Sequence, residues 1–178
     1  MENTESLEQV KDWLKSRFKA NDADMEEIIK YDFALYFLMT WNIFEICLFE
    51  KNCQLRSALN NDKINRLSGF IDDEFTETVQ TFFDRYKGND KYVKALFHGN
   101  RKSSEEYLFR CFLENDFNQF KSTPSDVIKF TFCVIIRYRN NMFHGNKYVG
   151  NWNKYKKQVI DCTSMMQWLI DKSQQNQT

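Results

Sequence analysis

The chain has 178 residues, of which 42% are hydrophobic and 28% charged, and its 25 Lys and Arg are balanced by 25 Asp and Glu. This length corresponds to one domain around a single core, and the apolar content excludes an intrinsically disordered chain. Because only one Pro and five Gly are available to punctuate strands and hairpins, we expect an all-α fold.

Capping patterns predict where the first helices begin. Ser6 with Gln9 forms a capping box at the start of the first predicted helix, and Asp24 with Glu27 forms a second box. A long apolar helix then runs over about 24–50, and we expect it to be the central, most buried element.

The middle of the chain predicts a loop over 51–62 and a helical stretch over 64–86, which Gly69 divides in two. Gly88 ends that stretch because glycine favours the position that follows a helix. A short helical segment over 91–97 comes next.

Three patterns predict the rest of the chain. Ser103 with Glu106 caps another helix, Pro124 occupies the first position of a helix over 124–144, and a final helix covers about 153–172. We therefore expect residues 1–172 to form a single domain, an antiparallel bundle of about five to seven helices, followed by a polar tail over 173–178.

The remaining features of composition bear on compartment and metals. The acidic start of the chain is unlike a signal peptide, and no run of 18 uninterrupted apolar residues marks a membrane span. The five Cys form no C-x-x-C pair, which argues against a disulfide framework and a zinc site. We expect a cytoplasmic protein with no metal, no cofactor and no membrane contact.

Basic and acidic residues are equal in number but unevenly distributed along the chain. Residues 1–90 carry 11 basic and 18 acidic side chains, whereas 91–178 carry 14 and 7. No acidic residue occurs over 127–160, where seven Lys and Arg alternate with aromatic side chains that can stack on bases. This segment is either a solvated basic face or the binding surface for a polyanion. For the second case, the candidate RNA-binding residues are Arg137, Asn141, Lys147, Tyr148, Trp152, Lys154, Lys156 and Lys157.

The helix over 124–144 is apolar almost all round, but its end is polar. At the spacing i, i+3, i+4 and i+7, one face carries Arg137, Asn140, Asn141 and His144. Buried without partners, these groups would cost a few kcal/mol each, so we expect them to face a cleft or a second subunit. The alternative is a helix end that emerges into water, where cations counter the helix dipole.

Residues 139–144, with the sequence Arg-Asn-Asn-Met-Phe-His followed by Gly145, resemble the R-N-x-x-x-H motif of the HEPN (higher eukaryotes and prokaryotes nucleotide-binding) family of all-α domains. The resemblance implies a metal-independent endoribonuclease that leaves 2′,3′-cyclic phosphate and 5′-hydroxyl ends. It also implies a homodimer with a composite cleft about a two-fold axis. Toxin and anti-phage defence members of the family further imply an antitoxin or a defence-system partner.

The residues themselves suit this chemistry. Cleavage of RNA through its 2′-hydroxyl needs a base, an acid and positive charge at the phosphorus. His144 can act as base or acid, Arg139 can hold the phosphate, and Asn140 can orient either of the other two groups. These three are the candidate catalytic residues.

A homodimer also follows from counting proton carriers. The motif offers one His per chain and no carboxylate nearby, so the second proton carrier would be the His144 of another copy, with a two-fold axis near Asn141. The alternative function is a non-catalytic helical module that binds RNA, a nucleotide or a defence-system partner.

Overall fold

The computed structural model describes residues 9, 12, 32–49, 53–97, 103–143 and 153–175. The described residues form helices and no strands, which confirms the predicted all-α class. Nine helices lie within these ranges: α1 Asp32–Phe49, α2 Leu55–Leu59, α3 Lys63–Ser68, α4 Asp73–Tyr86, α5 Asp90–Phe97, α6 Ser104–Glu114, α7 Phe117–Lys121, α8 Pro124–Phe143 and α9 Lys156–Gln174.

The described part of the chain thus contains more helices than the five to seven that the sequence predicts. The additional elements are short: α2 and α7 span five residues each. Helix α2 lies in the loop predicted over 51–62, and α7 lies in a stretch for which the sequence predicts no element, because so short a helix shows no recognisable hydrophobic period. Asp116 nevertheless caps α7, since its Oδ1 accepts a hydrogen bond from the Gln119 amide at 2.9 Å.

Helix α8 is the centre of the fold. It packs against each of α2 to α7 and against α9, whereas the most extensive contact of α1 is with α9. Between Val127 and Ile136 every residue of α8 except Lys129 is buried. The expectation that the helix over 24–50 would be the most buried is therefore wrong: one side of α1 is buried and the other is exposed.

Aromatic rings fill the space around α8. The Phe130 ring stacks on Phe109 of α6 with centroids 4.8 Å apart, and Phe120 of α7 meets it edge-on at 5.4 Å. At the other side of the core, Phe132 contacts Phe44 and Phe49 of α1 at 6.0 and 5.5 Å. Such offset and edge-on pairs add to the burial of apolar area and fix α8 against its neighbours.

Several predicted boundaries are confirmed. Ser103 Oγ accepts a hydrogen bond from the Glu106 amide at 3.1 Å, as a capping residue does. Gly69 separates α3 from α4, and Gly88 follows α4 with φ of +69°, a conformation that glycine adopts without strain. At the C-terminus, α9 continues through Gln174, two residues into the predicted polar tail.

The predicted helix beginning at Ser6 lies outside the described residues, apart from Gln9 and Asp12, which are helical and exposed. By length and composition, α1 is apolar enough to cross a membrane. Core helices of soluble proteins pass the same test, and 44% of this one is buried within the fold.

Candidate functional site

The first two residues of the predicted motif lie in the last turns of α8 and form a pair. Arg139 and Asn140 are both partly buried, and Arg139 Nη1 donates a hydrogen bond to Asn140 Oδ1 at 3.1 Å. The Arg139 guanidinium carbon lies 5.3 Å from the centroid of the Trp41 ring of α1. Cation–π stacking of this kind restricts where a guanidinium can point, so α1 and Asn140 together orient Arg139.

The surroundings of Arg139 come from α1 and the segment that follows it. Trp41 is 5% exposed, and its buried Nε1 has no hydrogen-bond partner in the part of the chain that the structure describes. Glu45 Oε1 accepts a hydrogen bond from the Cys53 amide at 3.1 Å. Burial and the nearby Glu45 raise the pKa of the Cys53 thiol to about 12, although Arg139 opposes that shift. The thiol therefore stays protonated near neutral pH and is no nucleophile.

Arg137 lies two residues before Arg139, on nearly the opposite side of α8, and packs toward α5. Its guanidinium carbon lies 4.7 Å from the centroid of the Phe97 ring, and its buried Nε has no hydrogen-bond partner among the described residues. Burial lowers the pKa of Arg137, and the charge of Glu105 partly offsets that effect. The side chain predicted to contact RNA is thus half-buried against an aromatic ring.

Asn141 is 1% exposed, and its Nδ2 donates a hydrogen bond to the Leu96 carbonyl of α5 at 3.2 Å. This burial contradicts the predicted RNA contact of Asn141, because a phosphate or base cannot reach a side chain enclosed within the fold. The cause is the contact with α5, which covers the face that Arg137 and Asn141 share.

The basic segment at the start of α9 is exposed where the structure describes it. Lys154, Lys156 and Lys157 are all exposed, and the Lys157 ammonium lies 2.7 Å from a carboxylate oxygen of Asp161. The Lys156 ammonium lies 5.8 Å from the centroid of the Phe33 ring of α1.

Helix α1 connects this basic segment with the Arg139–Asn140 pair. Phe33 beneath Lys156 and Trp41 beneath Arg139 are eight residues apart on α1, a separation of about 12 Å along the helix axis. The two cations therefore flank the same helix.

The other predicted site residues, His144, Lys147, Tyr148 and Trp152, lie outside the described residues. In the described part of the chain, no group of three or more His, Cys, Asp or Glu side chains could hold a metal ion.

Sequence reasoning missed three residues that contact the polar side chains of α8. Trp41 contacts Arg139, Leu96 contacts Asn141, and Phe97 contacts Arg137. Each is an ordinary apolar position of its helix, so the pattern of α1 or of α5 alone does not mark it as part of a site. Only the packing of α1 and α5 on the end of α8 assigns them to the site.

Comparison with models of protein families, with curated proteins and with solved structures finds no match to the chain. The chemistry of the site therefore follows only from its own residues.

Proposed function

We propose that this chain is a metal-independent endoribonuclease of the HEPN type that acts as a homodimer, with Arg139 and His144 as its catalytic residues and Asn140 as the residue that positions Arg139. The observation that carries the proposal is the Arg139–Asn140 pair. A cation held by its neighbour and by an indole ring, at the end of an otherwise buried helix, is a preorganised site for a phosphate.

In the proposed reaction, the ribose 2′-oxygen attacks the adjacent phosphorus and the bond from phosphorus to the 5′-oxygen breaks. One imidazole accepts the 2′-hydroxyl proton and another donates a proton to the leaving 5′-oxygen. His144 of each copy supplies one of these groups. The products are a 2′,3′-cyclic phosphate and a 5′-hydroxyl.

Arg139 has the electrostatic role in this scheme. A guanidinium offers a planar set of N–H donors that matches two oxygens of a phosphate, and charge at the phosphorane is where stabilisation lowers the barrier. Asn140 is a positioning residue, because its Oδ1 accepts from Arg139 Nη1 and so fixes the rotation of the guanidinium.

The same proposal includes the biological setting: a cytoplasmic toxin or anti-phage defence ribonuclease, with RNA as substrate and an antitoxin or defence-system protein as a further partner. No metal or cofactor takes part in the proposed chemistry.

The deciding experiment incubates the protein with RNA in excess EDTA and analyses the product ends. We expect cyclic phosphate ends, and we expect His144→Ala and Arg139→Ala each to lower the cleavage rate by at least about 100-fold. Arg56→Ala is the matched control, since Arg56 is exposed on α2. Cleavage at the wild-type rate by His144→Ala, or cleavage that needs added Mg²⁺, would contradict the proposal.

A second candidate function is a non-catalytic RNA-binding module, which the exposed Lys154 and Lys156 favour. The same experiment separates the two: bound but intact RNA in a gel-shift assay supports the binding module and rejects the enzyme.

A further inference from the structure

One face of α1 exposes a continuous row of large apolar side chains. Six side chains in this row are between 42% and 58% exposed: Leu35, Tyr36, Leu38, Met39, Ile43 and Ile46. With the exposed Asn42, most of them follow the i, i+3, i+4 spacing of a single helix face. We call these seven residues the α1 stripe.

No charged residue belongs to the α1 stripe. The only charged residues of α1 are Asp32 and Glu45, and each already accepts a hydrogen bond from a backbone amide. Asp32 Oδ1 accepts from the Phe33 amide at 2.8 Å, and Glu45 Oε1 accepts from Cys53 at 3.1 Å. A helix face that normally meets water carries charged side chains, so this composition favours a covered face.

The apolar surface continues onto α9. A groove with a volume of about 430 Å³ lies between α1 and α9 at the N-terminal end of the stripe. Tyr36 and Ile160 line its apolar part, and the rest of its lining includes polar and charged side chains: Asp32, Lys156, Thr163, Ser164 and Gln167. Ile160 is itself 43% exposed. The stripe thus has a neighbouring groove into which side chains of a facing helix can pack.

The exposed area suits an interface between two copies. Half-exposed side chains of this size contribute on the order of 100 Å² each, so the stripe and Ile160 together offer roughly 600–700 Å² per chain, at or above the upper end for the largest patch of a monomer. Two such faces in contact bury more than about 1,000 Å², the minimum for a specific interface.

We propose that the α1 stripe is the surface on which two copies of this chain associate, about a two-fold axis that passes near Asn42. An uncharged face is complementary to itself, as an isologous interface requires. Asn42 is the only amide in the stripe, and beside the axis its side chain can pair with Asn42 of the other copy and set the register of the two helices. This axis is distinct from the two-fold axis that the sequence predicts near Asn141.

The stripe and Arg139 lie on opposite sides of α1, since Trp41, which supports Arg139, is on the buried side of that helix. Two copies joined at the stripe therefore keep their Arg139 side chains at least about 20 Å apart, beyond two helix diameters. Association through the stripe does not rest on the proposed function and is separate from the cleft in which two copies of His144 act.

Sedimentation velocity of the full chain tests the proposal. We expect a dimer at about 10 μM, a concentration at which interfaces of this size commonly hold. Met39→Lys with Ile43→Lys should give a monomer and raise the dissociation constant at least 100-fold, because it buries two charges against apolar side chains. Tyr107→Lys, at a 71% exposed position of α6, is the control and should leave the dimer intact.

Symmetric cross-linking gives a second readout that does not depend on disrupting the fold. Asn42→Cys should form an intermolecular disulfide under mild oxidation, whereas Gln80→Cys, exposed on α4, and the wild-type chain should not.

A wild-type monomer at 100 μM, or a dimer that the double variant leaves unchanged, would overturn the inference. So would a monomer that floats with phosphatidylcholine–phosphatidylglycerol vesicles, since the stripe would then bind lipid. A wild-type dimer that leaves RNA intact would reject the ribonuclease and keep the interface.

Discussion

At the scale of single residues, the two neighbouring asparagines of α8 differ in environment. Asn140 is partly exposed and accepts a hydrogen bond from Arg139, whereas Asn141 is buried and donates one to Leu96. Loss of a buried polar partner leaves the other group unsatisfied, but loss of a partly exposed one lets water replace it. Substitution of Asn141 should therefore mainly affect stability, and substitution of Asn140 mainly cleavage.

We predict that Asn141→Ala lowers the free energy of unfolding by about 1–3 kcal/mol, whereas Asn140→Ala changes it by less than about 0.5 kcal/mol. In the cleavage assay, Asn140→Ala should have the larger effect per folded molecule. Urea denaturation followed by circular dichroism measures the first quantity. Equal destabilisation by the two variants would contradict these separate roles.

The same residues show how far a helical pattern predicts a site. The spacing of Arg137 and Asn141 predicts a common face, and in the structure both contact α5, through Phe97 and Leu96. What the spacing could not predict is that α5 covers this face, because a pattern within one helix contains no information about its neighbours.

At the scale of helices, Asp72 joins the start of α4 to α9. Its Oδ1 accepts from the Phe75 amide and its Oδ2 from Trp168 Nε1, each at 2.9 Å. The Trp168 ring also stacks on Phe75 with centroids 4.0 Å apart. Asp72 is exposed, and its slight loss of hydration opposes ionisation, but the hydrogen bonds from Trp168 and Phe75 outweigh that effect and lower the pKa of the carboxyl below its usual 3.8.

A depressed pKa in the folded chain gives a stability that is present above the unfolded pKa and lost as pH falls through the folded pKa. We therefore predict that Asp72→Ala lowers the free energy of unfolding by about 1–2 kcal/mol at pH 7, and that the difference from wild type shrinks below about pH 4. Thermal unfolding from pH 7 to pH 3 measures it. Asp73→Ala, in the same turn, is the control, and a gap as large at pH 3 as at pH 7 would reject the role of the carboxylate.

Helix boundaries were predictable where a local interaction sets them. Ser103 and Gly88 are such cases, since a side-chain cap and a left-handed glycine act within a few residues. Which of α1 and α8 is the more deeply buried was not predictable in this way. Both are apolar on most sides, and only the assembly of all the helices decides that α8 is enclosed while α1 keeps an uncovered face.

At the scale of the whole molecule, charge is unevenly distributed along a neutral chain. The C-terminal half carries the excess of Lys and Arg, and Lys154 and Lys156 are exposed at the start of α9, beside α1. Lys157 differs from Lys156, because Asp161 lies 2.7 Å from the Lys157 ammonium and offsets its charge. Lys156 and Lys157 should therefore contribute unequally to binding of a polyanion.

The corresponding prediction concerns the salt dependence of RNA binding. Lys154→Gln with Lys156→Gln should weaken binding and reduce the slope of log K against log salt by about one unit or less for each phosphate that is no longer neutralised. Lys157→Gln should change the slope less, since it also frees the Asp161 carboxylate, and Lys121→Gln, exposed on α7, should not change it. Fluorescence anisotropy with labelled RNA between about 50 and about 300 mM salt measures the slope. If the double variant and Lys121→Gln give the same slope as wild type, the lysines of α9 form a solvated face, and RNA binding has to be sought elsewhere on the molecule.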